Sequence, residues 1–445
     1  MKAVLKTILS LRKVGTLRES SIFASLFEFS EVNSGLLMKK FFNPILAASL
    51  MALILFSCGS RENGELVGVL DRPDWKGILP YGMIYVPPGT AHVGNSDQDI
   101  TGTFIQRPKA ITINGFFMDD TEVTNNEYRQ FIQWVRDSIA HDMMGDFNEE
   151  GHIDWEMELD YADESLADLW LEESFAGKRQ VNTNLYEYTY KEVDWGAAAS
   201  ARPNGNSGQG MTQYMTETPV NIYPDTLVWV RDFAYSFNEP MARSYFSHPA
   251  YDNYPIVGVD WEMARAFSYW RTSLWNKYND ALIEEFRLPT EYEFEYAARG
   301  GKENAPYPWG GPYVRNSKGC LLANFKPGRG NYPDDGGAYT VAVDAYYPND
   351  YGLFNMAGNV AEWTITAFNE NANSFVHDFN PDVRYNAKED DPITAKRKVI
   401  RGGSWKDISF YLQCGTRTFE YQDTTKSYVG FRNVMSYTGR SISDF

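Results

Sequence analysis

Glycine and proline break this chain so evenly that long uninterrupted elements have little room: 35 Gly and 21 Pro are spread over its 445 residues. Twelve Trp, 29 Tyr and 27 Phe accompany them. Many turns together with many large rings describe loops pinned by aromatic packing, not a helical bundle. At 43% hydrophobic and 22% charged, the composition is that of a globular protein long enough to bury a sizeable core. No fixed-period repeat is visible.

Against this background a few helices are marked locally. Thr124 with Glu127 forms the capping-box pattern, so a helix is expected from Asn125. Tyr128, Phe131, Ile132, Val135 and Ile139 then share one face, which reads as core packing. Thr290 with Glu293 repeats the box in "RLPTEYEFEYAARGG", where Gly300 and Gly301 end the helix. Asp260 is the expected cap of a further helix in "VDWEMARAFSYWRTSLWNKY". The opening segment "MIYVPPGTAHVG", residues 83–94, alternates like a strand with a Pro-Pro-Gly turn, and "FFMDD" reads as a strand leading into the first helix. From Gly301 onward short strands and Gly/Pro turns dominate. Residues 141 to about 248 are harder to read, with acidic and aromatic clusters and a loop-like "RPNGNSGQG" at 202–210.

The beginning of the chain speaks to location. "MKKFFNPILAASLMALILFSCGS" starts at Met38 with Lys39 and Lys40, runs through apolar residues to Phe56 and reaches Cys58. This is the form of a secretory signal, with an apolar stretch short for a membrane span. Its end, "LFSC", resembles a bacterial lipobox, which would make Cys58 the lipidated N-terminus; an uncleaved anchor is the alternative. Residues 1–37 precede a complete signal and read as an upstream extension from a misplaced start. Residues 58–82, polar and punctuated by Pro and Gly, read as a tether.

Removing residues 1–57 takes away seven Lys/Arg and three Asp/Glu, so the formal charge of -18 becomes about -22. Such a surface repels nucleic acid and anionic membrane, leaving lipid as the route to a bilayer. Once Cys58 is lipidated, Cys320 and Cys414 allow one disulfide at most, and sequence alone does not place their Cα atoms within reach.

Eight segments in order, "MIYVPPGTAHVG", "FFMDDTEVTNNEY", "YPIVGVDWEMARAF", "RLPTEYEFEYAARGG", "YPWG", "YGLFNMAGNVAEWT", "RGGSW" and "GFR", resemble the formylglycine-generating-enzyme-like (sulfatase-modifying factor) family across residues 83–432. The resemblance implies an α+β fold, irregular and C-type-lectin-related, with little regular secondary structure. It implies one domain over 83–437, with an insertion at about 141–248 and a tail at 438–445. Behind a lipobox, "ELVGV…PYGMIYVPPG" and "FFMDDTEVTNNEYRQFIQWVRDSIA" are similar to the GldK/PorK-type lipoproteins of gliding motility and type IX secretion. That likeness implies a non-catalytic structural component, lipid-anchored in the outer membrane and facing the periplasm. Such a component self-associates in a large ring with a GldN/PorN-type periplasmic partner. The related GldJ lipoprotein shares the domain, but the early motif here fits GldK better.

The family's enzymes hold copper(I) between two cysteines shortly after the Gly-Gly-Ser turn, where soft thiolates suit the ion. In "RGGSWKDISFYLQCGTR" those positions fall at Asp407 and near Leu412, so no copper is expected. Cys414 corresponds to a later, structural cysteine, whose usual partner position is Ala298. The His-x-x-x-His-x-Glu motif of an iron-dependent branch of the superfamily is absent.

For structural calcium the resemblance assigns Asn355 and Glu362 as side-chain ligands and Gly358 and Val360 as carbonyl ligands. The alternative is that Asn355 caps a turn and Glu362 is solvated or pairs with an arginine. A second set would use Asn324, Asp335 and the carbonyls of Phe325 and Gly337. "DFNEEGHIDWEM", residues 146–157, approaches an EF-hand loop but closes on Met157, and reads better as an acidic surface loop. An active oxidase and a lectin-like binding protein are the rival functions.

Overall fold

The computed structural model describes residues 79–94, 105, 107–171, 179–201, 211–232, 239–278, 283–328 and 337–438. The signal segment, Cys58, most of the tether, the 202–210 loop, Asp335 and the end of the tail lie outside the described residues. Among the described residues no helix is long and apolar enough to cross a membrane.

Two four-stranded sheets carry the domain. In the first, β1 (Met83–Val86), β4 (Phe116–Asp119), β12 (Val434–Ser436) and β7 (Phe286–Arg287) lie side by side in that order, all antiparallel. In the second the order is β10 (Thr418–Tyr421), β9 (Arg397–Arg401), β8 (Ala361–Ala367) and β11 (Val429–Gly430). Here β11 runs parallel to β8 and places Gly430 opposite Glu362. The strands β2 (Gly89–Val93) and β3 (Lys109–Ile113) form a separate ribbon. Thus the Pro-Pro turn divides the opening segment into two strands of different sheets, because proline cannot donate to a ladder and bends the chain away.

The three longest helices start where local chemistry says they should. Helix α1 (Asn125–Met144) has a complete capping box, with Thr124 Oγ1 accepting from the Glu127 N–H and Glu127 accepting from the Thr124 N–H. It stops at Gly145, whose φ of 76° is cheap only for glycine. Tyr128, Phe131, Ile132 and Val135 are buried, and Ile139 packs against them from a half-buried position. Asp260 Oδ1 accepts from the Met263 N–H at 2.8 Å and caps α2 (Trp261–Tyr278). Helix α3 (Glu291–Arg299) repeats the capping box with Thr290 and Glu293 and ends at Gly300.

Aromatic packing joins the layers. Tyr128 stacks on Phe267 at 5.7 Å and meets Phe431 edge-on, so α1, α2 and the C-terminal segment close over one another. Burying each such ring is worth about 1.5–3 kcal/mol. The stretch between α3 and β8 differs from the expectation of short strands, since turns without strands fill its described part. The insertion also holds structure that its composition hid: β5 (Glu187–Val193) pairs with β6 (Met215–Asn221). The ribbon lies on α2, where Tyr190 stacks on Tyr269 at 4.4 Å.

Candidate functional site

Strand β9 delivers the chain into the turn Gly402-Gly403-Ser404-Trp405. Gly402 and Gly403 have φ of 87° and 68°, and a Cβ on Gly403 would sit 2.7 Å from the Tyr411 carbonyl oxygen. Only glycine fits that approach. Asp407, the first position implied for a copper thiolate, folds back and accepts from the Ser404 N–H at 2.9 Å and the Ser404 hydroxyl at 2.6 Å. Burial pushes its carboxyl upward, opposed by those two hydrogen bonds. Leu412, near which the second position falls, is buried among Tyr307, Leu321, Ala323, Phe325 and Ala357. A carboxylate tied to its own turn and an alkyl group in a core are not soft ligands.

Cys414 lies in the core cluster that holds Ala297 and Ala298, which agrees with the implied correspondence to a structural position. Burial pushes its thiol up to about 12. The charges nearest in effect are Arg299, Glu295 and Arg401, and a thiol held protonated makes a poor nucleophile. Cys320 is exposed in a turn where its N–H donates to Asn316 Oδ1. Both cysteines are free, so the two are not bridged.

Beneath the turn is a buried ionic lattice that sequence reasoning missed. Arg401 Nη2 donates to Glu291 at 3.3 Å and Glu295 at 3.1 Å. Arg417 clamps Glu291 through Nε at 2.6 Å and Nη2 at 2.9 Å, and Arg299 Nη2 holds Glu295 at 2.6 Å. Arg401 Nη1 reaches the Cys414 and Thr416 carbonyls. The lattice therefore locks the loop after the turn onto α3. Its one legible signal was Glu291, Glu295 and Arg299 repeating at helical spacing.

The other implied metal place lies directly against this turn. Gly358 N–H donates to the Gly402 carbonyl at 3.0 Å, and Trp405 N–H to the Asn359 carbonyl at 2.9 Å. Asn355, Gly358 and Asn359 all take left-handed φ, of 49°, 85° and 62°. Asn355 Nδ2 donates to Glu122 at 3.1 Å and the Val343 carbonyl at 2.8 Å, while Asn359 Nδ2 donates to Glu122 at 3.0 Å. Val360 is fully buried beside Trp229 and Trp405. Glu362 faces Arg432, with Nε and Nη2 each 2.7 Å from one carboxylate oxygen and both side chains fully buried. Glu122, which sequence reasoning also missed, is fully buried; desolvation, partly offset by Arg432, pushes its carboxyl up to about 8.

The second set is brought together in part. Asn324 Nδ2 donates to the Tyr339 carbonyl at 2.7 Å, and a Cβ on Gly337 would lie 3.4 Å from that nitrogen. Phe325 is buried next to Ala323, and Asp335 is outside the described residues. In the EF-hand-like loop, Asp146 is paired with His141, and Asn148 Oδ1 accepts from the backbone N–H groups of Glu150 and His152. Those oxygens shape a surface turn. Among the described residues no group of three His, Cys, Asp or Glu is placed to hold a metal.

The sulfatase-modifying factor enzyme 1-like domain family matches residues 79–437, which takes in every element above. The chain belongs to that family. Among relatives it is similar to the formylglycine-generating enzyme of Mus musculus, 26% identical over 356 residues, covering 79% of this chain and 74% of that protein. It is also similar to the inactive C-alpha-formylglycine-generating enzyme 2 of Bos taurus, 30% identical over 207 residues, covering 43% of this chain and 56% of that one. Among solved structures it aligns with PvdO from Pseudomonas aeruginosa at a TM-score of 0.44 and 15% identity, covering 80% of this chain and 94% of that one. These relatives include one named as an enzyme and one named as inactive, and the fold is the mixed, irregular α+β arrangement expected of the family.

Proposed function

We propose that this member of the sulfatase-modifying factor family is a non-catalytic structural lipoprotein. In this reading Cys58 carries the lipid, and the domain stands in the periplasm under the outer membrane. There it forms a ring with further copies of itself and a GldN/PorN-type partner of the type IX secretion and gliding machinery. The observation that carries the non-catalytic part is the turn after β9. The two places where the family's enzymes need soft thiolates fall at Asp407, hydrogen-bonded to Ser404, and near Leu412, which is buried in an apolar cluster. Cys414 supplies no substitute, because burial keeps it protonated.

The secretion assignment rests on the lipobox at Cys58, on "ELVGV…PYGMIYVPPG" and on the motif that runs from Phe116 into α1. A rigid, aromatic-pinned domain with large exposed side chains such as Tyr81, Trp195 and Tyr347 suits an assembly component, where rings anchor an interface. The excess of acidic groups favours a basic partner.

Affinity isolation of the full-length protein from outer membrane, followed by electron microscopy, tests the role. Rings containing a second periplasmic protein are expected. Isolated monomers would overturn the assembly reading. Conversion of a cysteine-containing peptide by copper-loaded protein, lost on Cys414→Ala, would overturn the non-catalytic one.

A further inference from the structure

The β5–β6 ribbon has one blunted edge and one open edge. We infer that the open edge, β5, pairs with β5 of a second copy of this chain, antiparallel about a two-fold axis at Thr189. The register decides which backbone groups are free. Ile222 N–H donates to the Tyr186 carbonyl and Asp194 N–H to the Tyr214 carbonyl, so the residues of β5 that exchange hydrogen bonds with β6 are Tyr188, Tyr190 and Glu192. The N–H and C=O groups of Glu187, Thr189, Lys191 and Val193 therefore point away from β6. Among the described residues none bonds to them. The side chains of Glu187, Thr189 and Lys191 are exposed along this row. On the far edge, Pro219 stands in the outward row of β6 and lacks the donor a further strand would need.

A lysine on an edge strand ordinarily guards it against pairing. Here Lys191 has its complement in the same row. Antiparallel pairing with Thr189 opposite Thr189 sets Glu187 opposite Lys191 on both sides of the axis, and opposite-charge and Thr–Thr pairs are favourable across strands. A shift of one register step either way loses both ion pairs. In-register parallel pairing would set like charges side by side. Lys191 now meets Glu217 at 2.8 Å, but both side chains are more than half exposed, and such a surface pair is too weak to withhold the lysine. The contact is isologous, so it joins two ribbons into one four-stranded sheet and closes no ring by itself. It holds whether or not the secretion assignment does.

The test uses the full-length protein with Cys320→Ser as background, a short bis-maleimide cross-linker and peptide mass mapping. Thr189→Cys is expected to link copy to copy. Lys191→Cys alone is not, because its two copies lie about 14 Å apart along the strands. A mixture of Glu187→Cys and Lys191→Cys protein is expected to link into mixed dimers. Thr189→Pro removes the N–H at the axis and no bond to β6, so it should abolish the dimer at an unchanged Tm. Lys191→Glu should abolish it as well, and adding Glu187→Lys should restore it. Linking of Thr189→Cys and Lys191→Cys to equal extents, of neither, or to a different protein would overturn the inference. Rings in which Thr189→Cys stays unlinked would overturn it too, while leaving the assembly reading in place. Linked dimers without rings would support this inference alone.

Discussion

The turn after β9 and the turn before β8 are clasped together by backbone hydrogen bonds, and family resemblance implies a metal at each. They differ in what stands where the implied ligands would be. After β9 the ligands themselves are gone, replaced by Asp407 and Leu412, and the sequence says so. Before β8 all the ligand residue types are present, and Glu362 pairs with a residue 70 positions away in the chain, Arg432. A motif lists donors but not what those donors are bonded to. In both places hydrogen bonds hold the turn, and before β8 a buried ion pair joins them.

The largest expected effect falls on the turn whose motif is intact. Arg432→Met leaves Glu362 buried without its partner and should cost about 3–5 kcal/mol in denaturant unfolding. A cost below about 1 kcal/mol would mean that Glu362 is neutral or otherwise paired.

Restoring thiols at the other turn sharpens the contrast. Asp407→Cys with Leu412→Cys should lower stability by about 2 kcal/mol, mostly from the space left by Leu412. A copper(I) competition titration should find no tight site, since position 412 faces the Tyr307 cluster. Stoichiometric tight binding would show that the turn keeps its catalytic geometry.

A comparable gain is expected on the strand leading into that turn. Lys398 is fully buried, lies 3.6 Å over the Trp261 ring and donates to the Tyr385 carbonyl; desolvation pushes its ammonium down to about 7. Between that value and the unfolded value of about 10.4, the unfolded chain binds more protons, so stability should rise with pH across this window. Lys398→Met should raise stability at pH 7 by about 1–3 kcal/mol and flatten that slope, which a pH series of unfolding curves would reveal. An unchanged slope would exclude the shift.

Asp407→Ala is a smaller perturbation, about 1 kcal/mol for its hydrogen bonds to Ser404. Smallest in energy is a labelling contrast: an alkylating reagent followed by peptide mapping should mark exposed Cys320 and spare Cys414 until the protein unfolds. Labelling of native Cys414 would reopen the case for a reactive thiol.

Much of the framework was legible because its causes are local. Thr124 with Glu127 and Thr290 with Glu293 are three residues apart, and Gly145 and Gly300 stop their helices by a single dihedral. The Gly402-Gly403 turn and its missing thiols were readable for the same reason. The β5–β6 ribbon was not: Tyr188 and Tyr190 alternate inward, but β6 carries Pro219 and Glu217, and the ribbon packs on α2, a contact that sequence spacing does not encode.

By itself, the amino-acid order determined where helices begin and end, that rings and turns would dominate the fold, and that no pair of cysteines follows Gly402-Gly403. Only the tertiary structure decided which charges meet. Glu122 reaches Asn355 across 233 positions and Arg417 reaches Glu291 across 126, and sequence spacing encodes neither approach. A capping box closes through bonds within one turn of chain. A buried carboxylate, by contrast, is satisfied by whichever cation the folded core brings to it, and here that cation is an arginine.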